Sequence, residues 1–307
     1  MRILVTGGAG YVGSHAVRYL DLAGHEVWVY DNLSLGHRSA VPAGRLIEGH
    51  LHDRAKLSAV LREQSIEAVL HFAAYALVGE SVSDPAQYYH NNIGGSLSLL
   101  DAMRDAGVAK IVFSSTTATY GTPEKSPIGE DEPQRPINPY GFTKLAIERA
   151  LDDYARAYGF AYAALRYFNA AGANPRGDLG EDHSPESHLI PIVLEVALGQ
   201  RERITVFGDD YPTPDGTCIR DYIHVDDLAS AHALALARLT PGAGLKLNLG
   251  TGEGHSVREV IDACRRVTGR SIPLEIGPRR PGDPPELVAD ARRARSMLDW
   301  SPKYVEL

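Results

Sequence analysis

The sequence predicts an α/β fold: a doubly wound parallel sheet of Rossmann type, followed by a smaller C-terminal α/β domain. Three observations carry this expectation. Strand and helix signals alternate from residue 2 to about residue 169. The first thirty-one residues make one complete strand–helix–strand unit around a glycine turn. After Asn169 the texture changes, and Ala170 to Glu186 is rich in Gly, Pro, Asp and Asn. The expected division is therefore 1–169 and 170–307, with part of 221–249 returning to the main sheet.

Arg2 to Thr6 is a short apolar run that reads as a strand, and it ends at Gly7-Gly8-Ala9-Gly10-Tyr11-Val12-Gly13. A helix follows, with Val12, Ala16, Tyr19, Leu20 and Ala23 on one face. Gly24 stops it, and Glu26 to Tyr30 is a strand running into Asp31. The chemistry asks for glycine three times. One lets the chain turn off the strand, one lets backbone approach a pyrophosphate, and one lets the helix pack closely while its N-terminal N–H groups face the anion. Asp31, 18 residues past Gly13, can accept from adenosine ribose hydroxyls and would repel a 2′-phosphate. NAD is therefore favoured over NADP.

Arg45 to Glu48 reads as a third strand, Ala55 to Arg62 as a helix and Glu67 to Phe72 as a fourth strand ending at Ala73-Ala74. A long helix is expected from about Ala86 to Ala106. Lys110 to Phe113 is a fifth strand that runs into Ser114-Ser115-Thr116-Thr117. After a proline-rich loop, Tyr140 opens a helix reaching about Tyr158, and Ala161 to Arg166 is a sixth strand. Ligands of such sheets sit beyond the carboxyl ends of the strands, which places Gly7, Phe72, Ser115 and Phe168 around one crevice. In the second half, helices are expected over Leu189–Gly199, Val225–Leu239, Ser256–Thr268 and Ala289–Leu298. Strands are expected over 204–207, 245–249 and 272–276. Ser256, with Glu259 three residues on, reads as a capping box. The apolar stretch 300–307 has nothing following to cover it, which suggests a further helix.

The bulk numbers exclude several classes. The 307 residues, 44% apolar, suffice for one large or two modest cores. The net charge of −8 comes with scattered signs and no basic stripe, so no nucleic-acid partner is expected. The two cysteines, Cys218 and Cys264, form no Cys-x-x-Cys pair. Neither zinc nor a disulfide framework is expected, and a reducing cytoplasm fits. Met1 leads straight into the first strand, which leaves no room for a signal peptide. No apolar run approaches the roughly 18 residues of a membrane span.

Tyr140-Gly141-Phe142-Thr143-Lys144 places a phenol and an ammonium at i, i+4, on one helix face. A free phenol is a poor base at neutral pH, but an adjacent Lys⁺ and a positively charged nicotinamide would both favour the phenolate. Tyr140 can then act as general base and acid. Thr116 is the chosen third member, able to bond a sugar hydroxyl or relay its proton; Ser114, Ser115 and Thr117 compete for that role.

With these motifs the chain resembles the UDP-glucose 4-epimerase family of extended short-chain dehydrogenase/reductases. The matching stretches are Gly7 to Gly13, Tyr30-Asp31-Asn32, His71 to Ala74, Val78 to Ser81, Asn91-Asn92, Phe113 to Thr116 and Asn138 to Lys144. Later come Leu165 to Asn169, Tyr211-Pro212-Thr213, Arg220 to Val225 and Arg279-Arg280-Pro281-Gly282-Asp283. The resemblance implies interconversion of UDP-galactose and UDP-glucose. Hydride leaves sugar C4 for NAD, the 4-keto sugar turns over, and hydride returns to its other face. Tyr140 carries the proton, while Lys144 holds the nicotinamide ribose and lowers the Tyr140 pKa. The resemblance assigns the cofactor to Gly7, Gly10, Tyr11, Val12, Gly13, Asp31, Asn32, Leu51, Phe72, Ala73, Ala74, Asn91, Ser114, Tyr140, Lys144 and Phe168. It assigns the UDP-sugar to Thr116, Tyr140, Asn169, Leu189, Phe207, Arg220, Arg280 and Asp283. Glu80 lines the same crevice. Arginines suit a pyrophosphate, although Arg220 could also simply pair with Asp221. The family commonly forms homodimers through helices near 86–106 and 140–158.

Departures from the pattern are His50, where an acidic residue usually faces the adenine; Leu287, at the gate on sugar size; and Ala76, in place of a lysine. Other UDP-sugars, N-acetylated or uronate, therefore stay open as substrates. A nucleotide-sugar dehydratase would need carboxylates where Thr117-Ala118 stand. A non-enzymatic NAD sensor would not need Tyr140 and Lys144.

Overall fold

Seven parallel strands form the centre of the computed structural model, which describes residues 1–280 and 282–307. Pro281, part of the last family motif, lies outside the described residues. The chain begins with β1 (Arg2–Thr6), α1 (Tyr11–Leu22), β2 (Glu26–Asp31), β3 (Leu46–Glu48), α2 (Arg54–Glu63) and β4 (Ala68–His71). It continues with α3 (Val78–Ser83), α4 (Pro85–Tyr88), α5 (Gly95–Ala106), β5 (Lys110–Thr116), α6 (Pro139–Tyr158) and β6 (Ala161–Tyr167). Next come β7 (Asn169–Ala171), α7 (Leu189–Ala197), β8 (Ile204–Phe207), β9 (Ile219–Arg220), β10 (Tyr222–His224) and α8 (Val225–Ala237). The chain closes with β11 (Gly244–Leu249), β12 (His255–Ser256), α9 (Val257–Thr268), β13 (Leu274–Gly277), β14 (Glu286–Leu287) and α10 (Arg292–Leu298).

The main sheet runs β3-β2-β1-β4-β5-β6-β11, every pair parallel. The order reverses between β1 and β4, so the crevice opens beyond their carboxyl ends. Strand residues alternate between two cores. Ile3 and Val5 face a layer with Ala16, Leu20, Leu228, Leu236 and Leu298, while Leu4 faces one with Leu57, Leu99, Ile147 and Leu151. Burial on both faces explains why these strands read as unbroken apolar runs. A third core, Val193, Val196, Ile204, Val206, Ile261 and Ile272, holds α7, β8 and α9 together. Small ribbons link the halves: β7 pairs with β10, and β9 lies between β12 and β14.

One expectation is corrected. The buried face of α1 is Gly13, Ala16, Val17 and Leu20, while Tyr19 and Ala23 are exposed. The close helix–strand contact at Gly13 rotates the helix that way. The expected long helix near 86–106 is present, running through α4 and α5 with a π-helical stretch, Tyr89–Gly94, between them. Of the apolar tail, Tyr304, Val305 and Leu307 stay exposed, and Trp300 alone is buried among them. Trp300 is buried and donates its indole N–H to the Asp227 carbonyl (3.2 Å) and Ser230 Oγ (3.0 Å). The Lys303 and Tyr304 amides donate to the Asp227 carboxylate, and Tyr304 stacks on His224 at 4.0 Å. The expected capping box at Ser256 and Glu259 is formed.

Glu148 on α6 is a fully buried charge with four hydrogen bonds. It accepts from Arg166 Nε (2.9 Å) and Nη2 (2.5 Å) on β6, from Ser115 Oγ (2.6 Å) on β5 and from Gln134 (3.2 Å). Arg166 Nη1 reaches the Tyr120 hydroxyl at 2.7 Å, which donates to Asn248 Oδ1 at 2.7 Å. Removing one partner strands a buried charge. Arg166→Met is expected to lose about 3–5 kcal/mol of unfolding free energy in chemical denaturation. A loss under about 1 kcal/mol would show that water reaches Glu148.

Candidate active site

The turn after β1 is built so that only glycine fits it. Gly7 has φ +73°, and a Cβ there would lie 2.5 Å from the Ala73 amide at the end of β4. A Cβ on Gly13 would run into the Gly7 carbonyl. Gly10 differs: a Cβ there would meet only Gly7 O, at 3.5 Å, so its outer side is open. It caps α1 without any side-chain acceptor, which leaves first-turn N–H groups pointing at the crevice. Open space over the second glycine and an uncapped helix N-terminus are what a dinucleotide pyrophosphate requires, so the turn fits the expected cofactor. Asp31 ends β2 and accepts from Ala9 N–H (3.0 Å) and Leu33 N–H (2.8 Å). The acid therefore also fixes the glycine turn in place. Asn32 closes its own turn by accepting from Ser34 N–H at 3.0 Å.

Tyr140 and Lys144 lie in the first turns of α6, which Asn138 caps by accepting from Gly141 N–H at 2.8 Å. Lys144 is buried, and its Nζ donates to the Ser114 carbonyl on β5 at 2.8 Å. It lies 4.9 Å from the Phe113 ring centroid and 6.0 Å from that of Tyr140. Burial drives the Lys144 ammonium down to about 7, with Glu148 opposing. Burial pushes the Tyr140 phenol up to about 12, and hydrogen bonding with Thr116 pulls it down. Lys144 is not among the causes of the Tyr140 shift here, which burial dominates.

The rivals of Thr116 are otherwise engaged. Ser115 donates to Glu148, Thr117 to the Tyr167 carbonyl (3.3 Å), and Ser114 Oγ pairs with the Tyr167 hydroxyl (2.5 Å). Phe72 leaves β4 with its ring 4.7 Å from that of His232. Ala73, Ala74 and Phe168 are half-buried at strand ends. Tyr11 and Val12 open α1.

Other residues assigned by resemblance make contacts of their own. Leu51 is buried against Gly95. Asn91 donates to Asn92 Oδ1 (3.0 Å), and Asn92 holds Tyr75 and Thr143. Glu80 accepts from the Tyr88 hydroxyl at 2.7 Å. His50 stacks on His52, which stacks on His90 at 4.2 Å, so stacking stands where the acid was expected.

The second-half residues gather beyond β6. Asn169 opens β7, and Arg220 on β9 is flanked by Leu287 on β14. Arg220 pairs with Asp283 at 2.5 Å, not with Asp221. Asp221 is buried and held by the Thr251, Gly252 and Ala289 amides. Arg280 stands 4.1 Å over the Phe207 ring, and Leu189 begins α7. Two participants escaped the sequence reading. Glu148 stands one turn past Lys144, a Tyr-x₃-Lys-x₃-Glu ladder that was there to be read. Tyr167, a second phenol near Tyr140, had no local signal.

Residues 3–250 match the NAD dependent epimerase/dehydratase family. The UDP-glucose 4-epimerase of Halalkalibacterium halodurans is 56% identical over 308 residues, covering 100% of this chain and 92% of the relative. A crystal structure of UDP-glucose 4-epimerase from Brucella ovis in complex with NAD is 53% identical, with a TM-score of 0.96, over 99% of this chain and 94% of that one. That of Bifidobacterium longum, in complex with NAD+ and UDP, is 40% identical with a TM-score of 0.94, over 99% and 94%.

Gly10→Ala is expected to fold normally but to purify with little bound dinucleotide, whereas Gly13→Ala should lose stability as well. Full nucleotide occupancy in Gly10→Ala, measured by absorbance after denaturation, would remove the pyrophosphate from that turn. Lys144 also gives the fold a pH dependence. Its folded pKa, about 7, lies below its ordinary 10.5. Between those values the unfolded chain holds the extra proton, so stability rises with pH there; the raised phenol of Tyr140 reverses this above its ordinary 10.0. Nucleotide-stripped protein should therefore gain Tm from pH 7 to 9.5, and Lys144→Met should flatten the gain. Equal slopes in the two proteins would mean that Lys144 stays charged.

Proposed function

The chain belongs to the NAD-dependent epimerase/dehydratase family, and from that premise we propose that it interconverts UDP-galactose and UDP-glucose at sugar C4. The observation that carries the reading is the meeting of Tyr140, Thr116 and Lys144 at the carboxyl end of β5, in the same parallel sheet whose β1 ends in the glycine turn. NAD, when bound, supplies reversible hydride transfer at C4. Gly7, Gly10 and Gly13, with the α1 amides and Asp31, hold it. Tyr140 takes the proton from the sugar 4-OH and later returns it. Thr116 bonds the phenol and orients the reacting hydroxyl. Lys144 holds the nicotinamide ribose and, while protonated, favours the phenolate.

Residues 170–307 act as the nucleotide-sugar domain. Arg220 and Arg280 take the pyrophosphate as planar charged forks, while Asp283 accepts from the uridine ribose. Asn169, Leu189 and Phe207 line the remainder. The keto sugar must turn over between its two proton transfers, so binding concentrates on the nucleotide end.

Two copies of the chain pair through the α4–α5 and α6 faces, where Tyr89, Leu97, Phe142 and Tyr158 are exposed. A cytoplasmic location fits the two free cysteines. Among the described residues, no helix is long and apolar enough to cross a membrane.

The test incubates purified protein with UDP-galactose and no added cofactor. UDP-glucose should appear up to an equilibrium mixture, and Tyr140→Phe should turn over roughly 10²–10⁴-fold more slowly while keeping its NAD. No conversion by folded, NAD-loaded protein would sink the assignment. Undiminished turnover by Tyr140→Phe would remove the phenol from the chemistry.

A further inference from the structure

Between β7 and α7 the loop carries Glu181-x-His183-x-x-Glu186-x-His188, a pattern that the proposed reaction does not use. One nitrogen or oxygen from each of these four side chains lies within 4.8 Å of all the others. We propose that they form a binding site for a divalent transition-metal ion, zinc by ligand preference, at the mouth of the dinucleotide crevice.

Four observations carry this. First, the spacing suits a metal. His183 Nδ1 lies 3.3 Å from Glu181 Oε1 and 3.8 Å from Glu186 Oε2. His188 Nδ1 lies 2.8 Å and 3.0 Å from Oε1 of the same two residues. Zinc–ligand bonds of ~2.0–2.2 Å in a tetrahedron put neighbouring ligand atoms ~3.4 Å apart, and these separations bracket that value.

Second, the two carboxylate side chains are only 9% and 5% exposed. A pair of buried anions needs a cation between them. Third, His183 Nδ1 is shielded from solvent and makes no hydrogen bond despite those two close carboxylates. An ion pair of His188 with Glu181 and Glu186 would account for His188. It would leave the His183 nitrogen without a partner. A metal ion uses all four donors. The set of two imidazoles and two carboxylates is one that zinc accepts.

Fourth, the place makes electrostatic sense. Tyr11, in the first turn of α1, sets its ring edge-on to His183, with centroids 6.4 Å apart, and donates its hydroxyl to the Gly172 carbonyl at 2.6 Å. Two buried carboxylates so near a pyrophosphate seat would oppose the anion; a dication cancels them. The loop is already fastened to its surroundings. Arg18 on α1 pairs with Asp178 at 2.6 Å, and His37 Nε2 bonds the Asp182 carbonyl at 3.0 Å. The Ser187 and His188 amides fix the Glu186 carboxylate, at 2.6 and 2.8 Å.

The test uses tag-free, nucleotide-loaded protein, dialysed against chelator and titrated with zinc chloride in competition with a chromophoric indicator. About one zinc per chain is expected, and cobalt(II) in its place should give the visible absorption of a tetrahedral site. The double variant His183→Ala/His188→Ala should lose the stoichiometric uptake while keeping its circular dichroism. The variant His52→Ala/His90→Ala, at the other histidine cluster, should keep that uptake. Absence of stoichiometric uptake by the wild-type protein at micromolar zinc would overturn the proposal, and the cluster would then be an ion-pair network. Uptake that survives the first variant, or is lost only in the second, would overturn it equally.

Discussion

The arrangement depends on one buried carboxylate. Glu148 has no access to water, so each of its lone pairs has to be met inside the protein. Partners come from β5, β6 and the loop before α6, and they cannot be met unless α6 lies at one height and one rotation on the sheet. Lys144 and Tyr140 sit one and two turns before Glu148 on that helix. Fixing Glu148 therefore places the lysine under β5 and the phenol beside Thr116. Such ion pairs contribute little net stability compared with apolar residues of the same volume. What this one contributes is position. Arg166 passes the constraint on through Tyr120 to Asn248, and so to the last strand of the sheet.

A second constraint acts at the other end of the crevice. Asp31 spends both carboxylate oxygens on backbone amides, one of them in the glycine turn. Its charge thus shapes the turn before any ribose reaches it. Gly7 and Gly13 serve the same end by admitting backbone where a Cβ would collide. Gly10 alone keeps an open face. One motif therefore divides between residues that build the seat and a residue that leaves it open.

Much of this was legible from residues alone. Parallel strands buried on both faces announce themselves as short apolar runs, and the helices between them carry glycine stops and an Asn or Ser cap. The glycine spacing and the Tyr-x₃-Lys pair located the two sides of the crevice. What sequence could not give was orientation. Tyr19 and Ala23 fit a helical stripe as well as Val17 does, and only the tight seat at Gly13 decides which side faces the sheet. The π-turn at Tyr89–Gly94 leaves no periodic signature in six residues. Arg220 had an acid next door in Asp221, yet its partner lies 63 residues away because β9 is sandwiched between β12 and β14. Leu51 was assigned by position in a motif, and its side chain belongs to the core.

The electrostatics of the crevice follow from burial more than from pairing. Desolvation penalises whichever form is charged, so it raises the phenol and lowers the ammonium together. Both groups are pushed toward their neutral forms. His71, beneath them, is driven down to about 3 by the same burial and by Lys144. It bridges Thr6 and Ser96 as a neutral ring. Tyr140, Lys144 and His71 are thus all driven toward their neutral forms by burial. An acid–base group whose pKa depends on a bound positive charge stays protonated until that charge is present. If Tyr140 is the acid–base group proposed above, its competence as a base depends on occupancy of the turn formed by Gly7, Gly10 and Gly13.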